Sequence, residues 1–210
     1  MPTLVQYHRK DLAIARELQN THGELDALIN LGRTHIAMGN PDMGKEALEV
    51  ALGIAQDRQD TPAIAELHSI LGACENERGN FRKALRLHTV HLEIAVKAKD
   101  VESEIDACAN VGSTLLAMVQ SIKPVPAVGT SDTSGNEQPK LSMSFRQVEL
   151  LKRAKATFER HLFLVREAGD QAGESHGLAG LGETLRLLGE YTEAIGYYRE
   201  CMHIQVRFFQ

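Results

Sequence analysis

The segment Asn30–Asn40 reads NLGRTHIAMGN, and its punctuation recurs along the chain. Leu31-Gly32 returns as Leu71-Gly72, as Val111-Gly112 and as Leu181-Gly182. The first two intervals are 40 residues, and the last is 70, a further 40 plus an insert of 30. Gly39-Asn40, Gly79-Asn80 and Gly189-Glu190 each follow seven residues behind the first glycine. Ala84, Ala154 and Ala194 share another column, which Gly44 occupies in the first unit. A fixed period of this size is the mark of stacked helical hairpins, each too small to bury its apolar face without a neighbour. The expected fold class is all-α, a right-handed superhelical solenoid of antiparallel helix hairpins with about nine helices.

Around that frame the chain divides into a partial first unit at 4–20 and units at 21–60, 61–100, 101–170 and 171–210. Leu25, Leu28, Ile29, Leu31, Ile36 and Met38 have helical rather than alternating spacing, which predicts a helix over 22–38. Thr21 and Glu24 offer a capping box at its start, and Gly39 a left-handed stop. Asn40 then caps a second helix over 41–58, with Pro41 where no amide hydrogen is needed. The same reading gives helices at 62–78, 81–98, from 102, 145–168, 172–188 and 191–208, with a lone helix at 4–19 before them. Unit three has Val119 where the turn glycine belongs, followed by SIKPVPAVGTSDTSGNEQPKLSMS. That stretch, 121–144, has the composition of a flexible insert at a hairpin turn, where lengthening a loop costs little. All of 1–210 is thus expected to form a single array, closing on the apolar Val206-Arg207-Phe208-Phe209-Gln210, which suggests a piece of a longer one.

Composition excludes more than it selects. Apolar residues at 43% and charged residues at 24% are those of an ordinary soluble domain. A net charge of -5 without a basic run argues against nucleic acid as the partner. No stretch is long and apolar enough for a signal peptide or membrane insertion, so a cytoplasmic or nuclear location is expected. Cys74, Cys108 and Cys201 fit neither a disulfide framework nor a CxxC metal site. No phosphate loop, zinc-protease or nucleophile-elbow motif occurs, so no cofactor and no catalytic residue is expected.

Glycine inside a helix costs about 1 kcal/mol relative to alanine, so glycine at 32, 72, 112 and 182 calls for a packing cause. The expected cause is close approach of the paired helix, with Gly44, Ala84, Ala154 and Ala194 as the facing small surface. Leu48, Phe158 and Tyr198 would then fill wider space farther along. This alternation of small and large columns resembles the tetratricopeptide repeat, in a 40-residue rather than 34-residue form. More narrowly, YHRKDLAIARELQN, NLGRTHIAMGN, GNFRKALRLHTVHLEIAVKAKD and LGETLRLLGEYTEAIGYYRECMHI resemble the Pins/LGN adaptor arrays, and secondarily Tonsoku-like proteins. The resemblance implies a non-enzymatic adaptor holding a peptide segment of a partner protein in a concave groove. It departs where the family's frequent Leu-Gly-Asn becomes Leu-Gly followed by Arg33, Ala73 or Glu183, and Val-Gly followed by Ser113.

First helices line the groove in such arrays. Projecting the repeat places Asp26, Asn30 and Arg33, then Glu66, Asn76 and Glu77, on that face. Asp106, Asn110 and Ser113 follow from unit three, and His176, Glu183 and Arg186 from unit four. Such a surface suits an extended or helical peptide better than a metabolite, and its excess of acids complements some Lys or Arg. The alternative is a rigid module that self-associates through its convex face or C-terminal end. His88 and His91, three apart, have the spacing of a zinc pair but no third ligand nearby. Ala51, His161 and Cys201 share the column of His91, which makes it a packing position.

Overall fold

The structure is a computed structural model describing residues 3–122, 125–126 and 141–208. Among the described residues there are nine helices: α1 Leu4–Glu17, α2 Thr21–Ala37, α3 Pro41–Asp57, α4 Thr61–Glu77, α5 Phe81–Ala98, α6 Val101–Ser121, α7 Phe145–Ala168, α8 Gln171–Leu188 and α9 Tyr191–Phe208. The predicted hairpins are all present, each within a residue or two of its expected bounds. Contacts divide the chain into two compact units, 1–107 and 108–210, with the division inside α6 rather than at a turn. In the first unit α1 packs on α2, α2 on α3, α3 on α4 and α4 on α5, and the first helices α2 and α4 also touch. In the second unit α7 packs on α8 and α8 on α9.

The glycine column has the expected cause, close approach of the paired helix, but the facing residues are different ones. A Cβ on Gly32 would lie 2.5 Å from Leu48 Cγ, and one on Gly72 2.5–2.8 Å from three ring atoms of His88. At Gly112 the obstruction is the Phe158 ring at 2.8 Å, and at Gly182 the Tyr198 ring at 2.8 Å. The glycines therefore receive the large column of the second helix, not Ala84, Ala154 and Ala194. Gly44 is the partial exception, since its carbonyl oxygen also approaches within 3.1 Å of a Gly32 Cβ. His88 is the large residue of its own hairpin, 1% exposed, which explains it better than metal binding does. Phe158 also lies against a second glycine, Gly180 on α8, at a position where the other units carry Asn30, Ile70 and Asn110. Leu25, Leu28, Leu48, Ala51, Leu67 and Leu71 join across α2, α3 and α4 into a continuous apolar cluster. Burial of each leucine side chain there contributes about 1.5–3 kcal/mol.

Turns alternate between two chemistries. Within hairpins, Gly39, Gly79 and Gly189 take the left-handed conformation, with φ of 76°, 76° and 84°. Between hairpins the left-handed residue is Gln19, Gln59, Lys99 or Gly169, followed by an amide or carboxylate that caps the next helix. Asn20 accepts from the Gly23 amide, Asp60 from Ala63, Asp100 from Ser103 and Asp170 from Gly173. Asn20, not the expected Thr21 box, starts α2, because its oxygen reaches an amide that Thr21, already helical, cannot. Asn40 does stand at the cap of α3, with Pro41 at the first helical position, but its side chain makes no cap bond.

The insert is more ordered at its base than its composition suggests. Val125–Pro126 pairs antiparallel with Leu141–Ser142, and Ser144 and Gln147 form a reciprocal capping box that starts α7. The expected flexibility of the segment between falls on 127–140, outside the described residues. Gly112 still receives Phe158, so the two halves of the interrupted unit meet as a hairpin.

Two of the buried polar groups in this packing are strongly shifted. Burial alone would raise the Glu75 carboxyl, but hydrogen bonds from Lys83, Asn80 and Lys45 pull it down to about 2. The contacts are 2.8 Å, 2.8 Å and 3.0 Å, so Glu75 on α4 fastens α3 and α5 together. Burial pushes His88 down to about 4, with nearby His91 adding to the effect.

Two outcomes follow from the packing. Gly72→Ala should destabilise the fold by about 1–3 kcal/mol despite its better helix propensity. Most of that cost should vanish in a His88→Ala background, as read by a denaturant double-mutant cycle. The second concerns pH. Because the folded state keeps His88 neutral, the unfolded chain takes up its proton first as pH falls below about 6.5, and stability drops until about 4. The loss should amount to about 3 kcal/mol, and His88→Leu, which mimics Leu48, should flatten this part of the stability–pH curve.

Candidate functional site

The exposed edge of the first helices in the first unit is where the sequence placed a binding surface. Asp26, Asn30 and Arg33 all lie exposed along α2. Their chemistry is partly committed already. Asp26 is 3.7 Å from His22 one turn back, and Arg33 reaches across to Glu66 on α4 at 2.7 Å. Arg33 and Glu66 are 53% and 42% exposed, so their pair is screened and worth little to stability, yet it ties neighbouring first helices side by side.

Beside that pair a cavity of about 430 Å³ opens between α4, the C-terminal turns of α5 and the start of α6. Arg33, Glu66 and Asp106, all expected on the surface, line it. So do Asp100, Glu102, Ser103 and His91, which the sequence reading left out. Projecting only first-helix columns misses the floor, because α5 contributes it through His91, Ile94, Ala95 and Ala98. The available signal was the repeated cap column, which puts Asp100 at the head of α6. His91 is buried, its Nε2 2.8 Å from Ser103 Oγ. Burial lowers its pKa, opposed by the charges of Asp106 and Asp100, so the imidazole is neutral near pH 7.

Other expected residues lie elsewhere. Asn76 is half-buried and its Oδ1 is enclosed without a hydrogen-bond partner, while Glu77 is exposed near the end of α4. Neither reaches the cavity.

In the second unit Asn110 and Ser113 are half-buried on α6. His176 is exposed on α8, its ring edge-on to His161 at 5.5 Å and to Phe158 at 6.0 Å. Glu183 accepts two hydrogen bonds from Arg186, at 2.7 and 2.8 Å, one from Tyr198 at 3.1 Å and one from Gln120 at 3.3 Å. The Arg186 contact holds its carboxyl below the usual range against the opposing effect of burial. The expected excess of acid over base is therefore not uniform. Arg33 and Arg186 each spend their charge on a neighbouring glutamate, while Asp106, without such a partner, lines the cavity of the first unit. Among the described residues no group of three or more His, Cys, Asp or Glu is placed to hold a metal ion. No helix among them is long and apolar enough to cross a membrane.

Residues 25–58 and 178–206 each match a tetratricopeptide repeat family model. Tetratricopeptide repeat protein 29 of Trypanosoma brucei brucei is 28% identical over 162 residues, 77% of this chain but 27% of that protein. The chain thus spans about a quarter of the length of this curated relative. Among solved structures, a putative kinesin light chain from Podosopora anserina with nearly identical TPR-like repeats aligns with a TM-score of 0.71. It has 16% identity, over 97% of this chain and 86% of that one. MamA aligns with a TM-score of 0.64 and 15% identity, over 97% and 90% of the two chains. At these identities the structures speak for the fold alone. Two segments of the chain thus match the tetratricopeptide repeat, and its described residues have the all-α fold of TPR-like helix hairpins.

Because the Arg33–Glu66 pair is solvent-exposed, Arg33→Ala should cost less than about 1 kcal/mol in a denaturant titration. A larger loss would make this pair a structural tie and remove Arg33 as a useful binding probe.

Proposed function

We propose that this chain is a non-enzymatic adaptor that takes a segment of a partner protein along the exposed side of its first helices. The observation carrying the proposal is the surface of the first unit. There α2 and α4 lie side by side, bridged by Arg33 and Glu66, with a cavity of about 430 Å³ next to them. Polar groups for a peptide backbone and apolar walls for its side chains stand together, the combination that helix-groove recognition uses. The finer likeness to Pins/LGN adaptors rests on the quoted sequence segments alone, and polarity-type partners are not part of the proposal. A cytoplasmic place of action goes with this reading.

The second reading is self-association, favoured by one observation in the second unit. Ile195, Met202 and Val206 are exposed along α9, at 50%, 61% and 56%. An affinity capture with the intact chain and with Asn30→Ala/Arg33→Ala, followed by sedimentation of the free protein, separates the two. Proteins retained by the intact chain and lost with the variant, from a protein that sediments as a monomer, are expected. A stable dimer dissociated by Ile195→Ser/Met202→Ser, with capture unchanged by the α2 variant, would replace the adaptor reading with the second.

A further inference from the structure

We propose that the cavity between α4 and the start of α6 is a subsite for one lysine or arginine side chain of a partner segment, with Glu102 and Asp106 as the residues that select it. This rests on the groove reading above and adds to it the chemistry of one recognised residue.

Four acids, Glu66, Asp100, Glu102 and Asp106, line the cavity against a single arginine. Their commitments differ. Glu66 is neutralised by Arg33 at 2.7 Å, and Asp100 is held by the Ser103 amide at 3.1 Å. Glu102 and Asp106 are exposed and have no hydrogen bond or ion pair among the described residues, so their charge is available to a visitor. They stand four apart on α6, on one face of the helix. That charge repels an anionic ligand, and an uncharged one would gain nothing from the two carboxylates.

The walls supply the rest of the match. Pro62, Ile70, Ile94 and Ala98 are apolar, and long cationic side chains lie with their methylene stems on such surface and their charged ends at its rim. The floor does not oppose a cation. His91 is only 4% exposed and has no partner at Nδ1, and burial outweighs the nearby charges of Asp106 and Asp100 in keeping the ring neutral. Its Nε2 is bonded to Ser103, which turns the imidazole into a fixed neutral surface. A volume of about 430 Å³ lies at the small end of ligand pockets, enough for one long side chain with its neighbours rather than a large cofactor.

The test is a selection of random linear peptides displayed on phage against the full chain. Binding of synthesised winners is then measured by fluorescence anisotropy to the chain, to Glu102→Gln/Asp106→Asn, and to the remote control Glu46→Gln/Asp57→Asn. Winners are expected to carry a shared Lys or Arg. Their affinity is expected to fall about tenfold or more with the α6 variant and to hold with the control, the loss shrinking at high salt. Replacing the shared basic residue of the peptide by norleucine should produce the same fall, and should add little in the α6 variant. Winners without a shared basic residue, or with equal affinity for the α6 variant, would overturn the subsite while leaving the groove reading in place. Loss with the control as large as with the α6 variant would reduce the effect to net charge and overturn the subsite too. Absence of any binding peptide would overturn both readings. Circular dichroism of each variant checks that the helices persist.

Discussion

The structure depends on one steric interlock repeated in every full hairpin: a glycine in the first helix receives a large side chain from the second. Leu48, His88, Phe158 and Tyr198 lie so close to Gly32, Gly72, Gly112 and Gly182 that none of the four backbones has room for a methyl group. Each glycine weakens its own helix by about 1 kcal/mol, and the close approach it permits more than offsets that. The variable member of the pair can be aliphatic, aromatic or imidazole, provided it is bulky. A second adjustment follows when the bulk grows, as Gly180 shows by also making room for the Phe158 ring. Once the hairpins close this way, their turns and neighbours follow at a constant period.

That constraint also decides which surface remains for recognition. The second helices spend their inward faces filling the glycine column, and the first helices keep a polar edge in the solvent. In the first unit this edge and the end of α5 enclose a cavity, and Arg33 and Glu66 brace its side. Charge there is unevenly shared, since Arg33 is consumed by Glu66 while Glu102 and Asp106 have no such partner among the described residues. Buried polar groups such as Glu75 and His88 belong instead to the hairpin interiors. Glu75 is satisfied by three donors, and His88 tolerates burial because it is neutral. Their sensitivity to acid concerns stability and leaves the surface chemistry unchanged.

Repeat period, helix count and hairpin order were legible in the chain because they are local. Glycine columns, Gly-Asn turns and apolar spacing of about 3.6 residues need no knowledge of distant contacts. The residues that face the glycines were not legible. Both a small and a large column follow the glycines, and nothing in the order of residues says which one sits against them. The caps Asn20, Asp60, Asp100 and Asp170 form a column as regular as the glycines, yet Thr21 with Glu24 satisfies the same local pattern, and only backbone geometry separates the two.

For the candidate site the division is sharper. By itself the sequence determined that Asp26, Asn30, Arg33, Glu66 and Asp106 would share the exposed side of first helices, because helical period alone assigns faces. Only the tertiary structure decided that Arg33 is tied to Glu66, that Asn76 is turned inward, and that His91 and the last turns of α5 floor a cavity. Those facts depend on which residues of different helices come within a few ångströms. Separation in space between helices is set by side-chain volumes at the glycine column, a quantity that no periodicity along one strand of sequence records.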